Sequence, residues 1–252
     1  MREVLRTLCR PLTLAVRETM GTITNVVTDQ PVAALTFDDG PHTEFTPRLL
    51  DLLDRHQARA TFFMLGEPAQ DQPELVRRIA AAGHVIGNHS WDHPSFTLIP
   101  GTERRRQLRA CARAIAPHGQ RLFRPPFGEQ NLPSHLDAAW LRHEVVTWSL
   151  EVGDWWDRDA RHMRDLLVSH ITPGAVILLH DALRQHPCAT RAPRLTREPL
   201  ADREPMLAAL TMFLEQVGRQ YDFVTIPELL RRGRPRRDHW YKTTPAAATG
   251  AR

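Results

Sequence analysis

The feature that most restricts how this chain can fold is an alternation of short apolar runs with helical patterns, repeated along most of its length. Residues 32–37, 60–65, 84–87, 121–123, 144–148, 176–179 and 223–226 read as strands, each apolar and bounded by turn-forming residues. Helical periodicity fills the intervals, at 46–56, 74–82, 102–116, 133–143, 161–170 and 206–219, with a closing helical turn at 227–232. In the first of these helices Leu49, Leu50, Leu52 and Leu53 form the inner face, Pro47 sits in the first turn and Thr46 is the expected cap. A strand followed by a helix, over and over, predicts parallel pairing, because a parallel neighbour needs a crossover of this length. With about seven such units in 252 residues, the predicted fold is α/β: a single-domain, distorted (β/α) barrel of about seven parallel strands.

The expected boundaries are an N-terminal extension over 1–30, one folded domain over 31–232 and a basic, disordered tail over 233–252. Residues 185–205 carry several prolines and no periodicity, and read as a long loop. The formal net charge is only +4, and the basic residues sit in local runs at 104–106 and 231–237. Such runs read as a solvated helix face and a tail, not as a nucleic-acid surface, since no aromatic interleaving or zinc-finger spacing accompanies them. Cys9, Cys111 and Cys188 are odd in number and scattered, so they form neither a disulfide framework nor a Cys-x-x-Cys metal site. Cys111 is expected in the core. The apolar stretch near Leu12 is too short and too polar for a signal peptide, and no run approaches a membrane span. The expected location is cytoplasmic, with secretion the alternative.

In parallel α/β folds catalytic groups gather where strands end. Asp38-Asp39, His89 to His93, Arg124, Asp154 and His180-Asp181 each follow a predicted strand, so the five clusters converge on one mouth. Taken singly, Asp38-Asp39-Gly40-Pro41 reads as a turn, although adjacent carboxylates also offer a metal ligand and a base. His89-Ser90-Trp91-Asp92-His93 spaces two imidazoles so that one helical turn or a tight loop brings them to one divalent ion. Two histidines and a carboxylate leave coordination positions open for water and substrate. Arg124 could hold a carboxylate bidentately, and the stiff Pro125-Pro126-Phe127-Gly128 loop could present a backbone N–H to an oxyanion.

These clusters, in this order, resemble the five motifs of the polysaccharide deacetylases, the fourth carbohydrate esterase family. Thr36-Phe37-Asp38-Asp39-Gly40 resembles the first, His89-Ser90-Trp91-Asp92-His93 the second and Arg124-Pro125-Pro126-Phe127-Gly128 the third. Asp154-Trp155 resembles the fourth and Leu178-Leu179-His180 the fifth. The resemblance implies a distorted (β/α) barrel and a metal, zinc or else cobalt or another divalent ion, held by Asp39, His89 and His93. It implies Asp38 as the base, kept ionised by Arg124, and His180 as the acid, oriented by Asp154. It further implies the Phe127 backbone N–H at the oxyanion, with Trp155 and Leu178 as the apolar wall around the acyl group. Phe127 departs from the tyrosine common in the family, and Glu151-Val152-Gly153 departs from its usual run. The implied activity is removal of an N-acetyl group from an amino sugar or short chito-oligosaccharide. Two other readings stand beside it: a deformylase or deacylase of a non-polymeric intermediate, and a non-catalytic carbohydrate-binding protein with a degenerate site. The expected partner is a small-molecule or oligosaccharide N-acyl substrate, with no nucleic acid, no membrane span and an open oligomeric state.

Overall fold

Side-chain parity along the strands decides which residues face the inside of this sheet. The computed structural model describes residues 21–184 and 202–238; residues 1–20, most of the expected loop (185–201) and the end of the expected tail (239–252) lie outside them. The first half runs β1 (Thr22–Val27), β2 (Val32–Asp38), α1 (Phe45–Arg55), β3 (Ala60–Met64), α2 (Gly66–Asp71), α3 (Pro73–Ala81) and β4 (Val85–Asn88). It continues with α4 (Gly101–Ala114), β5 (Gly119–Phe123), a 3-10 turn (Pro126–Gly128), α5 (Leu132–Trp140), β6 (Glu144–Val145) and β7 (Leu150–Glu151). Then come α6 (Ala160–His170), β8 (Val176–His180), α7 (Glu204–Val217), β9 (Asp222–Phe223), α8 (Ile226–Arg231) and β10 (Arg234–Asp238).

The main sheet is parallel, in the order β6-β5-β4-β3-β2-β8-β7, with β9 pairing the start of β2. Its two end strands, β6 and β7, are separated by only four residues, 146–149, so the sheet curls round and this one segment forms the seam. The short interval explains why a single strand over 144–148 was the natural reading of the sequence: β6 pairs β5, and the chain then crosses to pair β8 as β7. The barrel of about seven parallel strands is the fold observed.

Along β2, Ala33, Leu35 and Phe37 face outward into one apolar cluster with Leu49, Leu52 and Leu53 of α1, Met163 and Leu167 of α6, and Leu210, Phe213 and Leu214 of α7. Burying each Leu or Phe of this kind contributes about 1.5–3 kcal/mol. The alternate residues, Val32 and Ala34, face inward with Phe63, Leu122, Trp148, Val176 and Leu178. That inner packing is tight: a Cβ on Gly87 would lie 2.7 Å from the Phe63 ring, so the β4 position opposite it must be glycine. Cys111 is buried, its thiol donating to the Met64 carbonyl at 3.2 Å and pushed up to about 12 by burial.

The structure moves the domain edges. β1 and β10 form an antiparallel pair, from Thr22 opposite Asp238 to Val27 opposite Arg234, so boundaries at 31 and 232 leave both strands of a formed pair outside the folded domain. β1 also bonds to the barrel itself, the Thr147 N–H donating to the Ile23 carbonyl at 2.8 Å and the Val26 N–H to the Gly174 carbonyl at 2.9 Å. The basic run of 231–237 is engaged in turn, with Arg232 on Asp222 and Glu228 and Arg237 on Glu144 and the Gly21 carbonyl. Period-two patterning is weak in Arg234-Pro235-Arg236-Arg237-Asp238, because β10 lies at the surface with no fully buried residue, while its partner β1 puts Ile23 and Val26 into the inner cluster. Thr46 is not the cap of α1; it lies inside the helix, buried, and its hydroxyl donates to Asp181. Among the described residues no helix is long and apolar enough to cross a membrane.

Replacing Gly87 by Ala should lower stability by about 1–3 kcal/mol through overpacking against Phe63, read as a fall in the urea midpoint with an unchanged slope.

Candidate metal centre and active site

The inner parity that carries Val32 and Ala34 continues upward to Thr36 and Asp38, so β2 passes from apolar to polar as it reaches the barrel mouth. The same alternation brings Arg124 above Leu122, His180 above Leu178, and His89 above Gly87. Four strand ends thus deliver a carboxylate, two imidazoles and a guanidinium to one layer, and strand register places Asp38 beside His180.

Strict alternation would send Asp39 to the opposite face. Asp39 instead has φ of 72°, and this left-handed turn re-aims its side chain to the inside. Six non-glycine residues among those described have positive φ, and four of them, Asp39, Ser90, His93 and Phe127, surround this site; the others are Gln57 and Arg142. Each costs about 1–3 kcal/mol and persists because its surroundings hold it. The His89 to His93 segment is a tight loop, not a helical turn. Asn88 Oδ1 accepts from the Ser90 N–H at 2.9 Å, and Ser90 Oγ accepts from the His93 N–H at 3.1 Å. Gln107 of α4 completes the frame: its Oε1 accepts from the Trp91 N–H at 2.7 Å, and its Nε2 donates to Asp92 at 2.6 Å.

The result is a triangle of possible metal ligands. Asp39 Oδ1 lies 3.4 Å from His89 Nε2 and 3.3 Å from His93 Nε2, and one ligand atom from each residue lies within 4.8 Å of the others. All three are buried. His89 Nδ1 donates to the Arg124 carbonyl at 2.7 Å, which leaves Nε2 as the lone-pair nitrogen facing Asp39. Asp39 Oδ1 has no hydrogen-bond donor among the described residues although it is buried, while Oδ2 accepts from the Arg184 N–H at 3.1 Å. A buried carboxylate oxygen left in this way, with two imidazole nitrogens turned towards it, fits a divalent cation. Burial alone would push the Asp39 carboxyl up, but the fields of the neighbouring His93, His89 and His180 outweigh it and hold the group far below the usual carboxylate range.

Asp38 is held differently. Arg124 Nη1 donates to Asp38 Oδ1 at 2.8 Å and to Thr36 Oγ1 at 2.7 Å, while Nη2 donates to the Thr147 carbonyl at 2.8 Å. Arg124 is fully buried, with its guanidinium 4.2 Å from the Phe63 ring centroid and 5.7 Å from that of Trp148. Asp38 Oδ2 lies 3.7 Å from His89 Nε2, next to the triangle but outside the tightest set.

At the end of the neighbouring strand β8, Asp154 Oδ1 bonds His180 Nδ1 at 2.9 Å, and Oδ2 accepts from the His180 N–H at 2.9 Å. Burial would lower the imidazole, but the Asp154 carboxylate, aided by Asp39 and Asp38, wins and raises it to about 9. Phe127 has φ of 60° in the 3-10 turn, and its ring lies 4.4 Å from that of His93. Gly128 fixes that turn: a Cβ there would meet Trp148 at 2.7 Å. Leu178 is buried one layer beneath His180, in the inner apolar cluster. Trp155 is half-buried directly after Asp154, with its ring 6.2 Å from that of Trp156.

Two supporting residues, Gln107 and Arg203, escape the sequence, whereas Asp181 stands in it only as the neighbour of His180. Gln107 braces the histidine loop, as above. Asp181 is buried against Gly40 and Thr46, and burial raises its carboxyl to about 7. Arg203 is buried beside Asp154, at a position the sequence assigns to a loop. Only a signal for partners distant in sequence would have found Gln107 and Arg203, since each is an ordinary polar residue in its local context.

Known proteins resemble this chain in sequence and in fold. The polysaccharide deacetylase family model matches residues 25–146. Over 157 residues the chain is 40% identical to a peptidoglycan-N-acetylglucosamine deacetylase of Bacillus cereus, covering 61% of this chain and 57% of that protein. It is 36% identical over 166 residues to a chitooligosaccharide deacetylase of Sinorhizobium fredii, covering 64% of this chain and 77% of that one. The chain thus spans somewhat over half the length of the first relative and about three quarters of the second. The crystal structure of the Bc1960 peptidoglycan N-acetylglucosamine deacetylase superposes with a TM-score of 0.75 at 30% identity, over 88% of this chain and 99% of that one. The chain belongs to the polysaccharide deacetylase family.

Proposed function

We propose that this chain is a metal-dependent N-deacetylase acting on an N-acetylated amino sugar, either a short chito-oligosaccharide or a glycan carrying N-acetylglucosamine. The observation that carries this reading is the pairing of two differently held carboxylates at one buried site. Asp39 faces two imidazole nitrogens, while Asp38 is clamped by Arg124. Hydrolysis of an amide needs a cation, a base and an acid at one carbonyl, and this division of labour supplies each. The relatives' names support the sugar, since they act on peptidoglycan N-acetylglucosamine and on chito-oligosaccharides. Formyl and other acyl groups remain the second reading at the same site.

Asp39, His89 and His93 would hold the cation, zinc or another divalent ion. When bound, it acts as a Lewis acid and lowers the pKa of water towards about 7. Asp38 Oδ2, turned to the same side as His89 Nε2, takes the proton of the attacking water, and Arg124 holds that carboxylate in place. The Phe127 main-chain N–H supports the developing oxyanion, which is why phenylalanine serves where tyrosine is common. His180 carries the proton that the departing amine needs, and Asp154 holds its ring by Nδ1. Leu178 and Trp155 form the apolar wall beside the acyl methyl.

Chelation of the purified protein should abolish acetate release from N-acetylated chito-oligosaccharides, and zinc or cobalt should restore it. A metal-loaded protein inert on acetylated, formylated and non-sugar amides alike would reject the reading. His93→Ala should lose bound metal and turnover together, whereas Asp38→Asn should keep the metal and lose about 10²–10⁴-fold in kcat. Metal analysis of the two variants checks this, and loss of metal from Asp38→Asn would reverse the roles of the carboxylates. Because His180 must be protonated to act and its pKa is raised to about 9, kcat should hold through neutral pH and fall as pH rises towards and through about 9. His180→Ala should remove that alkaline limb, which a pH–rate profile of both proteins measures.

A further inference from the structure

Arg203 is a buried arginine beside the proposed acid, and the acid–base scheme above does not use it. Its side chain is 1% exposed. The residue stands at the N-terminal end of α7, where its carbonyl accepts the Leu207 N–H at 3.0 Å, so its backbone is locked to a helix whose inner face is packed into the core. From there Nη1 donates to the Asp154 carbonyl at 2.9 Å and lies 3.6 Å from Asp154 Oδ2. Asp154 is therefore gripped twice, through its main chain by Arg203 and through its carboxylate between Arg203 and His180.

The charges at this place explain why a buried cation is worth its desolvation. While His180 is protonated, the Asp154 carboxylate faces a cationic imidazole. Once His180 has given its proton to a departing amine, that imidazole is neutral, and a carboxylate 2% exposed would be left as a buried, uncompensated anion. Such a state is costly, so Asp154 alone would resist the transfer. Arg203 remains charged throughout and balances Asp154 after the proton has left. Among the described residues, the charged groups facing Arg203 include Asp202, Asp39 and Asp181, and those facing His180 besides Asp154 include Asp39 and Asp38.

We propose that Arg203 is a positioning residue that acts through Asp154, holding it in place and compensating its charge so that His180 can release a proton to the leaving group. The proposal rests on the hydrolase reading above. It predicts that Arg203 matters in proportion to how much protonation the leaving group needs, which a purely structural arginine would not.

The test compares two substrates on the metal-loaded full chain. One is an N-acetylated chito-oligosaccharide, whose amine must be protonated to leave. The other is 4-nitrophenyl acetate, whose aryl oxide leaves without a proton. Arg203→Met and Arg203→Gln should each lose about tenfold to a hundredfold in kcat on the amide, within the range of one acid–base contribution, with KM and aryl acetate hydrolysis unchanged. Arg203→Lys, which keeps the charge, should recover most of the amide rate. Adding Arg203→Met to His180→Ala should cause no further loss. Equal losses on both substrates in folded variants, no loss on either, or failure of both neutral variants to fold would overturn the proposal and leave Arg203 a structural residue. If the unmodified protein cleaves no amide at all, the hydrolase reading itself fails, an outcome separate from these.

Discussion

The buried contact between Arg124 and Asp38 is the interaction around which the mouth of the barrel is arranged. A fully buried guanidinium must satisfy its donors inside the protein, and Arg124 does so on Thr36, Asp38 and the Val146 and Thr147 carbonyls. Those partners belong to β2 and to the seam segment between β6 and β7, so one side chain ties the first strand of the main sheet to the place where the sheet closes. Its own carbonyl accepts from His89 Nδ1 and thereby sets the ring that faces Asp39. Removing one partner of such a pair leaves a buried charge uncompensated, at a cost of about 3–5 kcal/mol. The residue that holds Asp38 also orients His89 and fastens the seam.

On the neighbouring strand end, the Asp154–His180 pair is built on the same principle. Arg124 fixes a carboxylate by direct hydrogen bonding, whereas Asp154 holds an imidazole and raises its pKa. Both cation–anion pairs thus stand in the same layer as the Asp39, His89 and His93 triangle. Strain is concentrated here too. Strand parity supplies most of the inward residues without cost, and left-handed turns at Asp39, Ser90, His93 and Phe127 supply those that parity would send elsewhere.

How much of this was legible in the sequence depends on the distance over which each choice is made. The strands and helices of the barrel were readable because apolar periodicity is a local property, and so was the convergence of polar clusters at strand ends. The β1–β10 ribbon was not readable. β10 carries arginine and proline and buries little, and the pair forms only because residues more than two hundred positions apart meet. Thr46 has the composition of a helix cap, but its hydroxyl answers to Asp181, 135 residues away. Gln107 and Arg203 have no local signature at all.

The sequence by itself determined the order of strands and helices, the inner and outer faces of each strand, and the set of acidic, imidazole and guanidinium groups delivered to one end of the sheet. These follow from periods of two and about 3.6 residues, which every segment carries within itself. Only the tertiary structure decided that Asp39 lies nearer the imidazole nitrogens than Asp38, that the histidine pair is a loop braced from α4, and that Arg203 stands behind Asp154. Those outcomes depend on buried charges finding partners across the barrel, and a buried charge is stabilised by whatever the fold brings next to it, not by its neighbours along the chain.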